Sequence, residues 1–254
     1  MENDNKQALF EYCLWLGDNN LILGHRLSEW CGHGPILEED IALINIALDL
    51  IGQSRTLLTF AGELENKGRS EDDLAYLRDC REFKNALLLE QPNGDFAKTI
   101  TRQFFFDAFH YHLYKELAKS KNEHLSAIAE KGLKEITYHL RHSSEWVKRL
   151  GDGTEESHNK MQNAIDELWM YTDDLFEISE TEESLVKANI IPSVETIRPY
   201  WTEQVNSVIK EATLKIPENT FMLNGSKKGN HTEHLGYLLA EMQFLQRAYP
   251  GASW

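Results

Sequence analysis

The chain has 254 residues, with 41 Asp and Glu against 26 Lys and Arg, so its formal net charge is −15. That balance argues against a nucleic-acid partner and against an anionic membrane surface, and any phosphate-bearing ligand must find a local basic patch. The three cysteines, Cys13, Cys31 and Cys80, are odd in number and lack CxxC spacing, which fits a reducing cytoplasm better than a disulfide scaffold. No apolar run approaches the ~18 residues of a membrane span. The start, MENDNKQ, has neither the basic nor the apolar region of an export signal, so the expected location is cytoplasmic. Length permits one large domain or two small ones; we expect a single domain over 1–254, with a core bundle over about 6–176 and a C-terminal helical extension over about 190–254.

Prolines fall only at 35, 92, 192, 199, 217 and 250, leaving long windows in which helices fit. Helix A is expected from about Lys6 to Trp30, where Phe10, Leu14, Leu21 and Leu27 recur at helical spacing before CGHGP. Helix B follows from about Leu37 to Leu64, with Glu38, Glu39 and Asp40 in its first turn, and the short connection makes A and B antiparallel neighbours. QPNGD is a turn in which Asn93 or Asp95 caps helix C, about Phe96 to Ser120. Helix D runs from about Glu123 to Leu150 and stops at GDGT; a fifth helix fits from about Glu156 to Phe176. EISETEESL reads as a linker or loop, and helical stretches near Ser193–Leu214 and His231–Ala248 are joined by the loop NGSKKGN. No strand alternation or internal repeat interrupts this pattern, so the fold class is all-α, an up-and-down helical bundle with additional C-terminal helices.

Polar stripes run inside these helices. In helix B, Asn45, Asp49, Gln53 and Thr56 follow at steps of four, four and three through apolar sequence and share a face. Helix A offers Asp18, His25 and Glu29, helix C offers Gln103, Asp107 and His110, and helix D offers Glu135, His139 and His142. Such stripes are either solvated faces, or a buried hydrogen-bonded network, or a carboxylate-bridged metal site. A ferritin-like di-iron site needs a Glu-x-x-His pair on each of two helices. Here the corresponding pairs read Asp49-x-x-Gly52 and Glu135-x-x-Tyr138, with His139 displaced by one position, about 100° round the helix. The spacing therefore favours a degenerate site, a network of Asp18, Asp49, Gln53, Asp107, Glu135 and His139 with no metal. The competing reading is a divergent di-metal carboxylate oxygenase built on Asp18, Asp49, Asp107, Glu135 and His139; a third is a scaffold or storage bundle.

RDCREFKNALLL concentrates Arg78, Arg81 and Lys84 beside Asn85, and Lys227 and Lys228 form a second basic candidate; either could hold phosphates, and either could be a solvated loop. HTEH lacks the spacing of HExxH and reads as a network at a helix start. No GxSxG, GxxxxGK[ST] or GxGxxG is present, so flavin or nicotinamide chemistry belongs elsewhere. QFFFDAFHYHLY in helix C is apolar or aromatic on more than one face, which suits either intersubunit packing or a core helix, with Trp30, Trp146 and Trp169 as candidate interface anchors.

LGDNNLILGHRLSEWCGHGPILEEDIALINIALDLIGQSRTLL, LLLEQPNGDFAKTITRQFFFDAFHYHL, KEITYHLRHSSEWVKRLGDGT and GSKKGNHTEHLGYLLAEMQFLQRAYPGASW together resemble the C-type subunits of the bacterial phenylacetyl-CoA 1,2-epoxidases, in order and over nearly the full length. EISETEESLVKANI matches only loosely. The resemblance implies a ferritin-like fold and a non-catalytic structural subunit in an NADPH-dependent multicomponent monooxygenase of phenylacetate catabolism. It further implies that the di-iron centre belongs to a homologous A-type subunit, with NADPH, flavin and an iron–sulfur cluster in a reductase. Partners would be that A-type subunit, the other epoxidase subunits, phenylacetyl-CoA through the complex, and a second copy when the chain is alone. It also places Glu82, Phe83, Lys84 and Asn85 near the CoA thioester.

Overall fold

A computed structural model describes residues 2–252. In chain order its helices are α1 (Glu2–Ser28), α2 (Leu37–Glu65), α3 (Glu71–Tyr76), α4 (Phe96–Leu117), α5 (Glu123–Gly151), α6 (Glu155–Leu168), α7 (Glu180–Lys187), α8 (Val194–Glu211), α9 (Glu233–Met242) and α10 (Phe244–Ala248), and no strand occurs among the described residues. The chain divides into two compact units. One comprises Met1–Pro92, Ser179–Leu185 and Gly225–Trp254, the other Asn93–Ile178 and Val186–Asn224.

In the first unit α1 and α2 form an antiparallel hairpin. Gly17 and Gly24, seven residues apart on one face of α1, allow the close approach: a Cβ on Gly17 would lie 2.7 Å from Leu58 and one on Gly24 2.9 Å from Ile51. At the same crossing the Ser54 hydroxyl donates to the Gly17 carbonyl at 2.8 Å. The inner face of α2 carries Leu43, Ile46, Leu50, Leu57 and Ala61, all buried. Its outer face leaves Leu37, Ile41 and Leu48 more than half exposed. By length and composition α2 is apolar enough to cross a bilayer, which corrects the expectation that no run comes close; the same composition suits a core helix, as its buried face shows.

After α2 comes the six-residue α3, which helical periodicity does not predict; Ser70 and Asp73 close it with a reciprocal capping box, a signal that SEDD does carry. Residues 83–91 then run as irregular but almost wholly buried chain. The C-terminal helices meet the end of α3 and the residues just after it: Gln243 donates to the carbonyls of Ala75 and Arg78 at 3.2 and 3.0 Å.

In the second unit α4 packs against α5, α6 and α8. Asp95 caps α4 through the Lys98 amide, and Asn93 instead accepts from Arg102 at 2.6 Å. Every residue from Gln103 to His110 is buried, so α4 is a core helix of this chain. Its Phe105 meets Trp169 and Trp201, while the Trp201 indole donates to the Phe105 carbonyl at 2.9 Å. Trp169 and Trp201 are themselves 5.8 Å apart, so Trp169, which is half-buried, packs in this cluster. The fifth helix stops at Leu168 and continues as two 3-10 turns to Phe176, short of the uninterrupted helix expected. The expected linker EISETEESL instead contains most of α7, whose start is fixed by Ser179 and Glu182 bonding each other's backbone amides and by the buried Leu185.

Candidate functional site

The polar stripes separate into groups that point inward and groups that do not. On α2, steps of four, four and three spread the four side chains over about 80° of arc. Gln53 lies at one edge of that arc and is buried, 3.5 Å from the Asn20 amide, whereas Asn45 and Thr56 are exposed and Asp49 is half-buried. Of the stripe Asp18, His25 and Glu29 only Asp18 is fully buried; Glu29, just past the end of α1, is exposed and pairs with Arg26 at 2.8 Å. On α5 His139 is fully buried, Glu135 half-buried, and Tyr138, at the place a ligand His would take, is 42% exposed. All three members of the α4 stripe, Gln103, Asp107 and His110, are buried.

Asp18 is held by Arg78. The guanidinium binds both carboxylate oxygens, and the Lys84 amide adds a third hydrogen bond at 2.9 Å. Arg78 also donates to the carbonyls of Leu74 and Glu82 and lies 4.3 Å above the Phe83 ring. Its basic neighbours in sequence make Arg78 a candidate phosphate holder; the side chain is instead 2% exposed and its donors are turned inward.

Asp107, in the second unit, is held without a formal cation in hydrogen-bond contact. The Gln103 amide and the Ser143 hydroxyl each donate to it at 2.7 Å. Burial pushes its carboxyl up to about 6, against the opposing charge of His139 and the two hydrogen bonds. Burial, then His139, pushes the His110 imidazole well below its ordinary range, which keeps that ring neutral. Within neither unit do three described His, Cys, Asp or Glu side chains converge as a metal-ligand group. The residues do not fit a di-iron centre: Asp18 is bound to a guanidinium, Asp107 to two neutral donors, and Gly52 and Tyr138 stand at the imidazole positions of the motif.

The segment Glu82–Asn85 lies at the end of the 3-10 turn Cys80–Glu82. Glu82 is exposed, Phe83 and Asn85 are buried, and Lys84 is partly exposed, its ammonium 3.0 Å from the Lys227 carbonyl and 3.6 Å from Glu11. Lys84 borders a pocket of ≈ 230 Å³ whose other walls include Tyr12, Trp15, Ser179 and Glu182. Lys227, expected on a solvated loop or a phosphate site, is buried: it binds both oxygens of Glu182 at 2.7 and 2.8 Å and sits 4.0 Å over the Trp15 ring. Lys228 is exposed. HTEH marks the start of α9, where His231 engages Glu90 and the Phe83 carbonyl at 2.9 Å each. Glu90 carries no signal in the sequence, since it lies in a loop with no periodic partner.

Over 246 residues, 97% of this chain and 99% of the relative, the sequence is 51% identical to the C subunit of the 1,2-phenylacetyl-CoA epoxidase of Escherichia coli strain K12. Its fold class is the all-α, ferritin-like bundle expected from the sequence. With the family model matched along residues 1–254, the chain belongs to the phenylacetic acid catabolic protein family.

Proposed function

We propose that the chain is the non-catalytic structural subunit of a phenylacetyl-CoA 1,2-epoxidase, a cytoplasmic multicomponent monooxygenase of phenylacetate catabolism, and that it supports a homologous di-iron subunit served by an NADPH-, flavin- and iron–sulfur-dependent reductase. The observation that carries the reading is the state of the two fully buried carboxylates of the polar stripes, Asp18 and Asp107: each has both oxygens bonded to protein donors. The guanidinium on Asp18 opposes a cation there, and among the described residues no group of three carboxylate, imidazole or thiol side chains converges to hold a metal. The near full-length identity to the relative from Escherichia coli supports the assembly.

Iron analysis and turnover test it. Purified alone, the chain is expected to hold well under one iron and to form no epoxide; mixed with the homologous subunit, it should raise that subunit's activity. Two tightly bound irons per isolated chain would overturn the reading.

The same proposal gives Glu82–Asn85 a place beside the CoA thioester. Lys84 is the cation of that segment and is partly exposed, and its pocket is of a size to take part of an extended ligand. Lys84→Ala is expected to raise KM for phenylacetyl-CoA in the assembled enzyme by roughly three- to tenfold with little change in kcat, as for a partly solvated charge-assisted hydrogen bond. An unchanged KM would remove this segment from the site.

A further inference from the structure

The loop that carries Phe83, Lys84 and Asn85 is tied to the C-terminal segment by one ionic centre. Glu90, fully buried, accepts from the Thr232 amide at 2.6 Å, from the Asn85 side chain at 3.0 Å and meets His231 Nδ1 at 2.9 Å. The other ring nitrogen, Nε2, faces the Phe83 carbonyl at 2.9 Å. A carbonyl oxygen can only accept, so Nε2 carries a proton. Nδ1 faces a carboxylate oxygen that already accepts from Asn85, so the arrangement is complete when Nδ1 carries a proton as well. We propose that His231, as an imidazolium, is a positioning residue: its two N–H groups pin both ends of the Phe83–Glu90 segment, one at the Phe83 carbonyl and one at the Glu90 carboxylate, and so hold Lys84 and Asn85 in place.

The charged groups around the pair are of both signs. Asp18 on α1 adds a favourable field, Arg26 on the same helix donates to the Glu90 carbonyl at 3.2 and 2.7 Å, and Cys80, in the loop itself, feels the Glu90 charge. Burial works against the imidazolium, but the hydrogen bond and charge of Glu90, the Phe83 carbonyl and Asp18 together outweigh it and raise the imidazole pKa above the ordinary 6.5. A group raised in the fold contributes stability that is fully present below its unfolded value and lost as pH rises through the folded one. Opening of the clasp thus belongs to the alkaline side of 6.5. Its consequence for substrate rests on the reading of Glu82–Asn85 above; the clasp itself does not.

Hydrogen exchange of the full-length chain tests it without substrate. Protection factors of residues 83–90 are expected to fall by about tenfold, the scale of one charge-assisted hydrogen bond lost, between pH 6 and pH 9, while those of α2 stay level. His231→Gln should show the low value at both pH values, and Glu90→Gln should lose the pH dependence. Ring-nitrogen NMR of the unaltered chain covers the case in which a variant fails to fold: both His231 nitrogens should carry protons at pH 6. A singly protonated ring at that pH, or protection of residues 83–90 that is independent of pH, would overturn the clasp. Neither result bears on Lys84→Ala, whose KM tests the substrate reading by itself.

Discussion

Arg78→Met is expected to destabilise the first unit by about 3–5 kcal/mol, the range for a buried ion pair that loses one partner. The side chain is 2% exposed and Asp18 is fully buried, so solvent cannot take over the role of the guanidinium. Asp18 would keep only the Lys84 amide, and the carbonyls of Leu74 and Glu82 would lose a donor. Because the attraction roughly offsets the desolvation of the two ions, the double substitution Arg78→Met with Asp18→Leu should recover most of the loss. Chemical denaturation of the three variants measures this. Equal losses in the single and double variants would mean that Arg78 contributes through packing on Phe83 and its carbonyl partners and not through Asp18. The single variant should also loosen residues 82–85, since the carboxylate that Arg78 orients is the one that accepts from the Lys84 amide.

The helices of this fold are legible in the sequence because each rests on local signals. Helix α2 begins at Leu37 behind Pro35 with three carboxylates in its first turn, and α5 begins at Glu123 under an Asn122 cap, both where periodicity places them. The inward groups are legible only in part. Gln103, Asp107 and His110 share a face that the core covers, but the α2 stripe is wide enough that Gln53 turns in while Asn45 and Thr56 turn out. Pairing across distance is what the sequence hides. Arg78 resembles a ligand for phosphate because its neighbours in sequence are basic, yet its partner lies 60 residues away; Glu90 and His231 are separated by 141. Loop-borne ion pairs have no period, so composition alone assigns such charges to solvent or to a ligand. The absent Glu-x-x-His pairs are visible because that motif is itself helical and local.

Asp107→Asn is expected to stabilise the chain at pH 7.5, by about 1–3 kcal/mol if two pKa units of displacement are realised in full or in part. The carboxyl titrates near 6 in the fold against 3.8 as its ordinary value, because burial opposes the charge and only neutral donors touch it. A carboxyl raised in this way makes a contribution that is complete below about 3.8 and lost as pH rises through about 6. An amide has the shape of the protonated acid at every pH, accepting from Gln103 and donating toward the Ser143 hydroxyl, which has the His139 carbonyl 3.0 Å away as its alternative acceptor. The advantage of the variant should therefore be near zero below about pH 4, grow between about pH 4 and pH 6 and level off above that, read as the difference in unfolding midpoint between the two proteins. A variant less stable than the parent at pH 7.5 would show that the Asp107 charge is balanced in solution, by a protonated His139 or by a bound cation. Asp18→Asn should do the opposite and destabilise at neutral pH, since it leaves the Arg78 guanidinium buried without its counter-charge. The contrast between the two carboxylates would separate a network that has become ionic from one that has become neutral.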